Sequence, residues 1–176
     1  LNEVEKEIDT LPKEEICEIA NDNTIGQIVV RGKKKVIDIL SENLKKKRKK
    51  GILLPVSAPF HSPLLQEAED RLARDLDNIK FSELQFPVID NASASVNLAA
   101  DEAKLSLKRQ VTSPVRWEES VAEVAKAGVS TFIEVGPGKV LSGLVSRIVD
   151  GATTFQVGDS EGLDRVLESL GSSNAD

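Results

Sequence analysis

Short apolar runs alternate with stretches of helical spacing along this chain, and no other feature constrains its fold as strongly. Gln27 to Val30, Ile52 to Val56 and Thr131 to Val135 have the length and the Val/Ile content of strands, and Glu15 to Asn21 and Phe86 to Asp90 are further candidates. Between them, Lys34 to about Lys47 places Val36, Ile37, Leu40 and Leu44 on one helical face. A second helix is expected from Ser62 to about Asn78, with Leu65, Ala68, Leu72 and Leu76 in register. Its start is well marked, because Ser62 is a good N-cap and Pro63 falls where a missing N–H costs nothing. Beyond the polar loop Asn91 to Asn97, helices are expected near Asp101 to Arg109 and Trp117 to Ala127, the latter stopped by Gly128. Thr131 to Val135 then turns through Gly136-Pro137-Gly138 into a helix with Leu141, Leu144, Val145 and Ile148 on its apolar face. Strands alternating with helices predict an α/β protein with a mostly parallel sheet.

The chain has 176 residues, enough for one domain or one and a fraction at about 150 residues per domain. With 40% hydrophobic residues it can bury a core, so disordered and collagen-like readings are excluded. No stretch approaches the roughly 18 apolar residues of a membrane span, and the charged start is wrong for a secretory signal. A cytoplasmic protein with no membrane contact is the expectation. Cys17 is the single cysteine, so no internal disulfide is possible, and its apolar strand setting marks it as a small core residue. The sequence holds no Met, which raises the expectation that it starts partway through a longer gene product.

The formal charge of -6 conceals an asymmetry: ten basic residues between Arg31 and Lys50 face only Asp38 and Glu42. A cationic patch on an acidic protein suits an anionic partner, whether nucleic acid, a phosphate-bearing cofactor or an acidic protein. The plainer reading is a solvated helix end, whose lysines complement the negative pole of the helix dipole. Nucleic acid is the weaker partner, because no aromatic residue is interleaved with the lysines to stack on bases.

The one histidine, His61, lies directly after a strand candidate and directly before a helix N-cap. In α/β proteins that is where ligands and catalytic groups gather, and a neutral imidazole there would serve as a general base. The bland alternative is a polar loop residue. One His and one Cys at unrelated positions give no metal-ligand spacing. Gly136-x-Gly138 lacks the third glycine of a dinucleotide loop, and close strand-to-helix packing is the expected reason for it.

Four segments together resemble the malonyl-CoA:acyl carrier protein transacylases. They are Ile19 to Asn23 running into Gly26 to Val30, Leu54 to Ser62, Arg109 to Trp117 and Phe132 to Leu141, in that family's order and spacing. The resemblance implies a ping-pong transfer of malonyl from coenzyme A to the phosphopantetheine thiol of acyl carrier protein, with no bound cofactor and malonyl-CoA as substrate. It implies that His61 relays the proton of a serine nucleophile and that the backbone carbonyl of Gln110 orients the imidazole. Asn23 would line the same pocket, and Phe60 would crowd a branched acyl group. Arg48, Lys49 and Lys50 would form a docking surface for the acidic carrier protein.

The family's serine sits in G-H-S-x-G, and no such sequence occurs here. The expectation is therefore the C-terminal portion of the enzyme, with an N-terminal portion as partner. Residues 1–55 would form most of a ferredoxin-like small subdomain, 56–170 the C-terminal part of a hydrolase-like α/β core, and 171–176 a frayed tail. Ser57 and Ser62 flank His61, but neither sits on an elbow turn that could replace the serine. A non-catalytic module that keeps only carrier-protein binding is the alternative.

Overall fold

The computed structural model describes residues 1–12, 16–56 and 59–172. They form two compact units, Leu1–Ser120 and Val121–Asp176. The first unit opens with α1 (Asn2–Asp9), β1 (Cys17–Thr24), β2 (Gln27–Gly32) and α2 (Lys34–Lys46). β1 and β2 pair antiparallel around a two-residue turn, with Thr24 opposite Gln27. The ladder register slips between Ile19 and Asn21 and again between Asp22 and Thr24, so Ala20 and Asn23 are bulge residues. Bulges bend a strand and re-aim its side chains. Leu11, Val36 and Leu40 form the buried cluster of this part, with Cys17, Val30, Ile39 and Leu44 packed on it. Position 32, at the end of β2, requires glycine because a Cβ there would lie 2.6 Å from the Ile16 carbonyl oxygen.

A 3-10 turn at Pro63–Leu65 leads into α3 (Gln66–Asp77), followed by the short strands β3 (Val88–Ile89) and β4 (Val96–Asn97), α4 (Ala100–Arg109) and β5 (Val115–Arg116). β3 and β4 pair antiparallel, whereas β5 lies parallel to β1, with Asn21 opposite Val115. α5 (Trp117–Lys126) crosses from the first unit to the second. The second unit continues with β6 (Thr131–Val135), α6 (Val140–Ile148), β7 (Thr153–Val157) and α7 (Ser160–Ser172). β6 and β7 are parallel and in register from Thr131 opposite Thr153 to Val135 opposite Val157, with α6 as the crossover that a parallel pair requires. The α/β class and the parallel pairing agree with the sequence. No helix among the described residues is long and apolar enough to cross a membrane.

Several expectations need correction. Ile52 to Val56 forms no strand; Ile52 and Leu53 are 69% and 78% exposed, and the one local bond is Val56 N–H to the Leu54 carbonyl. A strand needs a ladder partner, and no described residue supplies one. The strand expected at Phe86 to Asp90 shortens to two residues, and the expected loop after it contains β4. The helix expected from Ser62 begins as a 3-10 turn and becomes α-helical at Gln66. Glycine at 136 and 138 does not reflect close packing: a Cβ at either would meet nothing within 4 Å, and the need is for φ values of +138° and +89°.

Candidate functional site

His61 follows Pro59 and Phe60 in a turn and adopts φ +57°, a left-handed conformation uncommon outside glycine. Ser62 returns to extended backbone, is almost fully buried, and its Oγ accepts the Leu64 N–H at 3.2 Å. This cap stops the chain's rotation and fixes where the His61 side chain departs. At 1% exposure the Ser62 hydroxyl is also buried away from incoming substrate. Ser57 lies outside the described residues.

The imidazole meets the end of α4. His61 Nδ1 lies 3.3 Å from the backbone oxygen of Gln110. Gln110 is the C-cap residue; its own N–H is taken up by the Ser106 carbonyl at 3.0 Å, while its C=O belongs to the last turn, where carbonyls lack an intrahelical partner. A carbonyl only accepts, so Nδ1 carries the hydrogen in the contact and the Nε2 lone pair of the uncharged ring is left free. An imidazole held this way can take a proton at Nε2 and return it.

α4 is anchored one turn earlier. Asp90, 7% exposed, accepts hydrogen bonds from Ala92 N–H, Ser93 N–H, Ser93 Oγ, the Asn97 amide and Ser106 Oγ, the last at 3.2 Å. Burial works against its charge, but these donors outweigh burial and hold the carboxyl below its ordinary range. Ser106 thus ties the β3–β4 turn to the helix that presents Gln110.

The other expected residues are not drawn into this contact. Asn23 is half-buried at the second bulge of β1, and Phe60 is 58% exposed; neither hydrogen-bonds to His61 among the described residues. Lys50 and Arg48 are exposed beyond α2, and Lys49 Nζ contacts Glu3 of α1 at 2.5 Å. Lys47 pairs in the same way with the buried Glu7. The acids of α1 therefore neutralise part of the lysine patch, across 40 and 46 positions of sequence. Nothing local in the sequence could announce that.

Three further features went unread. Asp22, 8% exposed, has its Oδ1 without a partner among the described residues, and burial pushes its carboxyl up. The buried Trp117 Nε1 and Thr24 Oγ1 also lack partners among the described residues. In the second unit, Glu134 accepts from Leu141 N–H, Ser142 N–H and Ser142 Oγ, so the chain's own carboxylate occupies the amides at the start of α6. Burial raises the Cys17 thiol, so it stays protonated, as its core setting suggested. Among the described residues no group of three or more His, Cys, Asp or Glu could hold a metal ion.

No family model matches the chain. Similarity to individual proteins is extensive. A malonyl CoA-acyl carrier protein transacylase of Bacillus subtilis is 41% identical over 160 residues, which is 90% of this chain and 50% of the relative. The solved malonyl CoA-acyl carrier protein transacylase of Clostridium perfringens superposes with a TM-score of 0.90 at 35% identity, covering 98% of this chain and 54% of that one. A type II PKS acyl-carrier protein in complex with its malonyl-transacylase is another match, with a TM-score of 0.88 at 34% identity over 96% of this chain and 55% of that one. The chain spans about half the length of the curated relatives it matches.

Proposed function

We propose that this chain, homologous along nearly its whole length to malonyl CoA-acyl carrier protein transacylases and matching their C-terminal part, supplies the histidine portion of a malonyl transfer from coenzyme A to acyl carrier protein in fatty acid synthesis. The observation that carries this reading is the His61 Nδ1 contact with the Gln110 carbonyl at 3.3 Å. It is a base-orienting contact between two segments that also carry the sequence resemblance.

The serine nucleophile belongs to an N-terminal portion that acts with this chain. As its Oγ attacks the malonyl thioester carbonyl, His61 Nε2 takes the hydroxyl proton; when the carbon–sulfur bond breaks, Nε2–H returns that proton to the departing coenzyme A sulfur. In the second half the phosphopantetheine thiol gives its proton to Nε2 and attacks the malonyl ester, and the serine oxygen leaves by taking that proton back. Throughout, Gln110 keeps Nδ1 protonated, a role that needs no carboxylate. Asn23 and Phe60 border the acyl pocket, and Phe60 favours malonyl over a branched acyl group. Arg48, Lys49 and Lys50 dock the acidic carrier protein. Residues 1–55 act as the small subdomain and 56–170 as part of the catalytic core, in the cytoplasm and away from nucleic acid and membranes.

The test is malonyl transfer by the chain joined to an N-terminal portion carrying the serine elbow. His61→Ala is expected to lower turnover by about 100-fold or more, the scale of a lost general base. Gln110→Ala, which keeps the backbone carbonyl, should leave most activity. Unchanged transfer by His61→Ala would overturn the assignment. Carrier-protein binding with no malonyl adduct would favour the non-catalytic module.

A further inference from the structure

The contact between His61 and Gln110 joins residues 49 positions apart, one before α3 and one at the end of α4. Something must hold those two ends in register. At the far end of α3, Asp77 binds Lys108 Nζ at 2.6 Å and lies 3.8 Å from Lys104 Nζ. At the near end, Thr112 Oγ1 donates to Glu69 Oε2. Thr112 lies two residues after Gln110, and Glu69 sits in the first turn of α3, eight residues after His61. Both are partly buried, whereas the neighbouring Glu67, Ala68 and Asp70 are exposed. Among the described residues no other side-chain hydrogen bond joins α3 to residues 110–114. Pro63, Thr112, Ser113 and Pro114 also line the same cleft of about 590 Å³, which brings the segments beside His61 and Gln110 to one place.

We infer that Glu69 and Thr112 are positioning residues: their hydrogen bond latches the segment after α4 to the start of α3 and thereby keeps the Gln110 carbonyl on His61 Nδ1. A hydroxyl donor to a carboxylate is directional, so it fixes separation and orientation together. The pair never needs to touch substrate. Without it, the segment 110–114 can shift relative to α3, and a 3.3 Å contact has little distance to lose. The imidazole then turns to whichever tautomer its new surroundings favour. The consequence for turnover rests on the acyl-transfer reading; the consequence for the tautomer does not.

Because His61 is the only histidine, the imidazole nitrogen signals of the whole chain belong to one residue. The experiment compares those 15N signals for the uncharged ring in the unmodified chain, in Thr112→Val and Glu69→Ala, and in the conservative variants Thr112→Ser and Glu69→Gln. Thr112→Val is nearly isosteric and Glu69→Ala favours the helix, so both should keep the fold, with amide spectra as the check. The Nδ1–H form is expected to fall from the major to the minor species in the two removal variants and to return in the two conservative ones. Removal variants that kept Nδ1–H as the major form would overturn the inference, as would conservative variants no better than the removals. In the chain joined to its N-terminal portion, the removal variants should lower kcat roughly 10- to 100-fold with KM nearly unchanged, the scale of a misplaced catalytic group. A tautomer shift with unaltered transfer would uphold the latch and count against the catalytic role of His61.

Discussion

Asp90 and Asp22 are buried to almost the same degree, at 7% and 8% exposure, and their surroundings differ completely. Asp90 gathers five donors from its own turn, from β4 and from α4, and its carboxyl is held low. Asp22 leaves Oδ1 with no partner among the described residues, burial raises its carboxyl, and the charge of Glu119 adds to the rise. The difference separates a scaffold joint from a strained one. The saturated carboxylate sits under the helix that carries Gln110, where rigidity is needed. The unsaturated one sits next to Asn23 in a doubly bulged strand, where polar side chains are aimed rather than packed. Local rules of polar satisfaction are most often broken where function takes precedence.

That contrast can be broken by substitution. The largest effect is expected for Asp90→Ala, which strands several buried donors and should cost about 3 kcal/mol in a denaturation midpoint experiment. A loss below about 1 kcal/mol would mean that water replaces the carboxylate at little cost. Ser106→Ala removes one donor of the set and should cost about 1 kcal/mol, with a matching loss of amide protection at Gln110.

Asp22→Asn should behave in the opposite sense. Folding raises the Asp22 carboxyl, so its contribution is most favourable below the unfolded value near about pH 4 and declines as pH rises through the raised folded value. The variant should therefore melt higher than the unmodified chain at neutral pH, and the gap should close in acid. For Asp90 the sign reverses: its contribution is present above about pH 4 and is lost as pH falls through the depressed folded value. The gap between Asp90→Ala and the unmodified chain should therefore narrow in acid. Parallel curves for the two variants would erase the contrast. The smallest effect is expected for Lys49→Ala, whose pair with Glu3 is largely exposed and screened by solvent, so the denaturation midpoint should stay where it is in the unmodified chain.

The sequence disclosed what depends on near neighbours. Lys34–Lys46 and Thr131–Val135 were legible because helical spacing and a Val/Ile-type run are local patterns. Ser62 was legible as a cap because Pro63 follows it. Ile52 to Val56 misled because a strand is a property of a pair, and hydrophobicity alone cannot supply the other member. α1 and its hold on Lys47 and Lys49 were invisible, since ion pairs across 40 and 46 positions leave no periodic trace. His61 and Gln110 came together only through likeness to a family, because no spacing rule links residues 49 apart. Thr112 lies in a segment of that likeness, but nothing in it pointed to Glu69, and the pair emerged from side-chain geometry alone.

The most direct test of the site is the tautomer of His61 in the unmodified chain. The 15N signals of its uncharged ring should show Nδ1 protonated and Nε2 bare, the arrangement that the Gln110 carbonyl requires and that leaves a base facing outward. A ring protonated mainly at Nε2 would mean that the carbonyl does not hold it, and the proton relay assigned to His61 would lose its foundation.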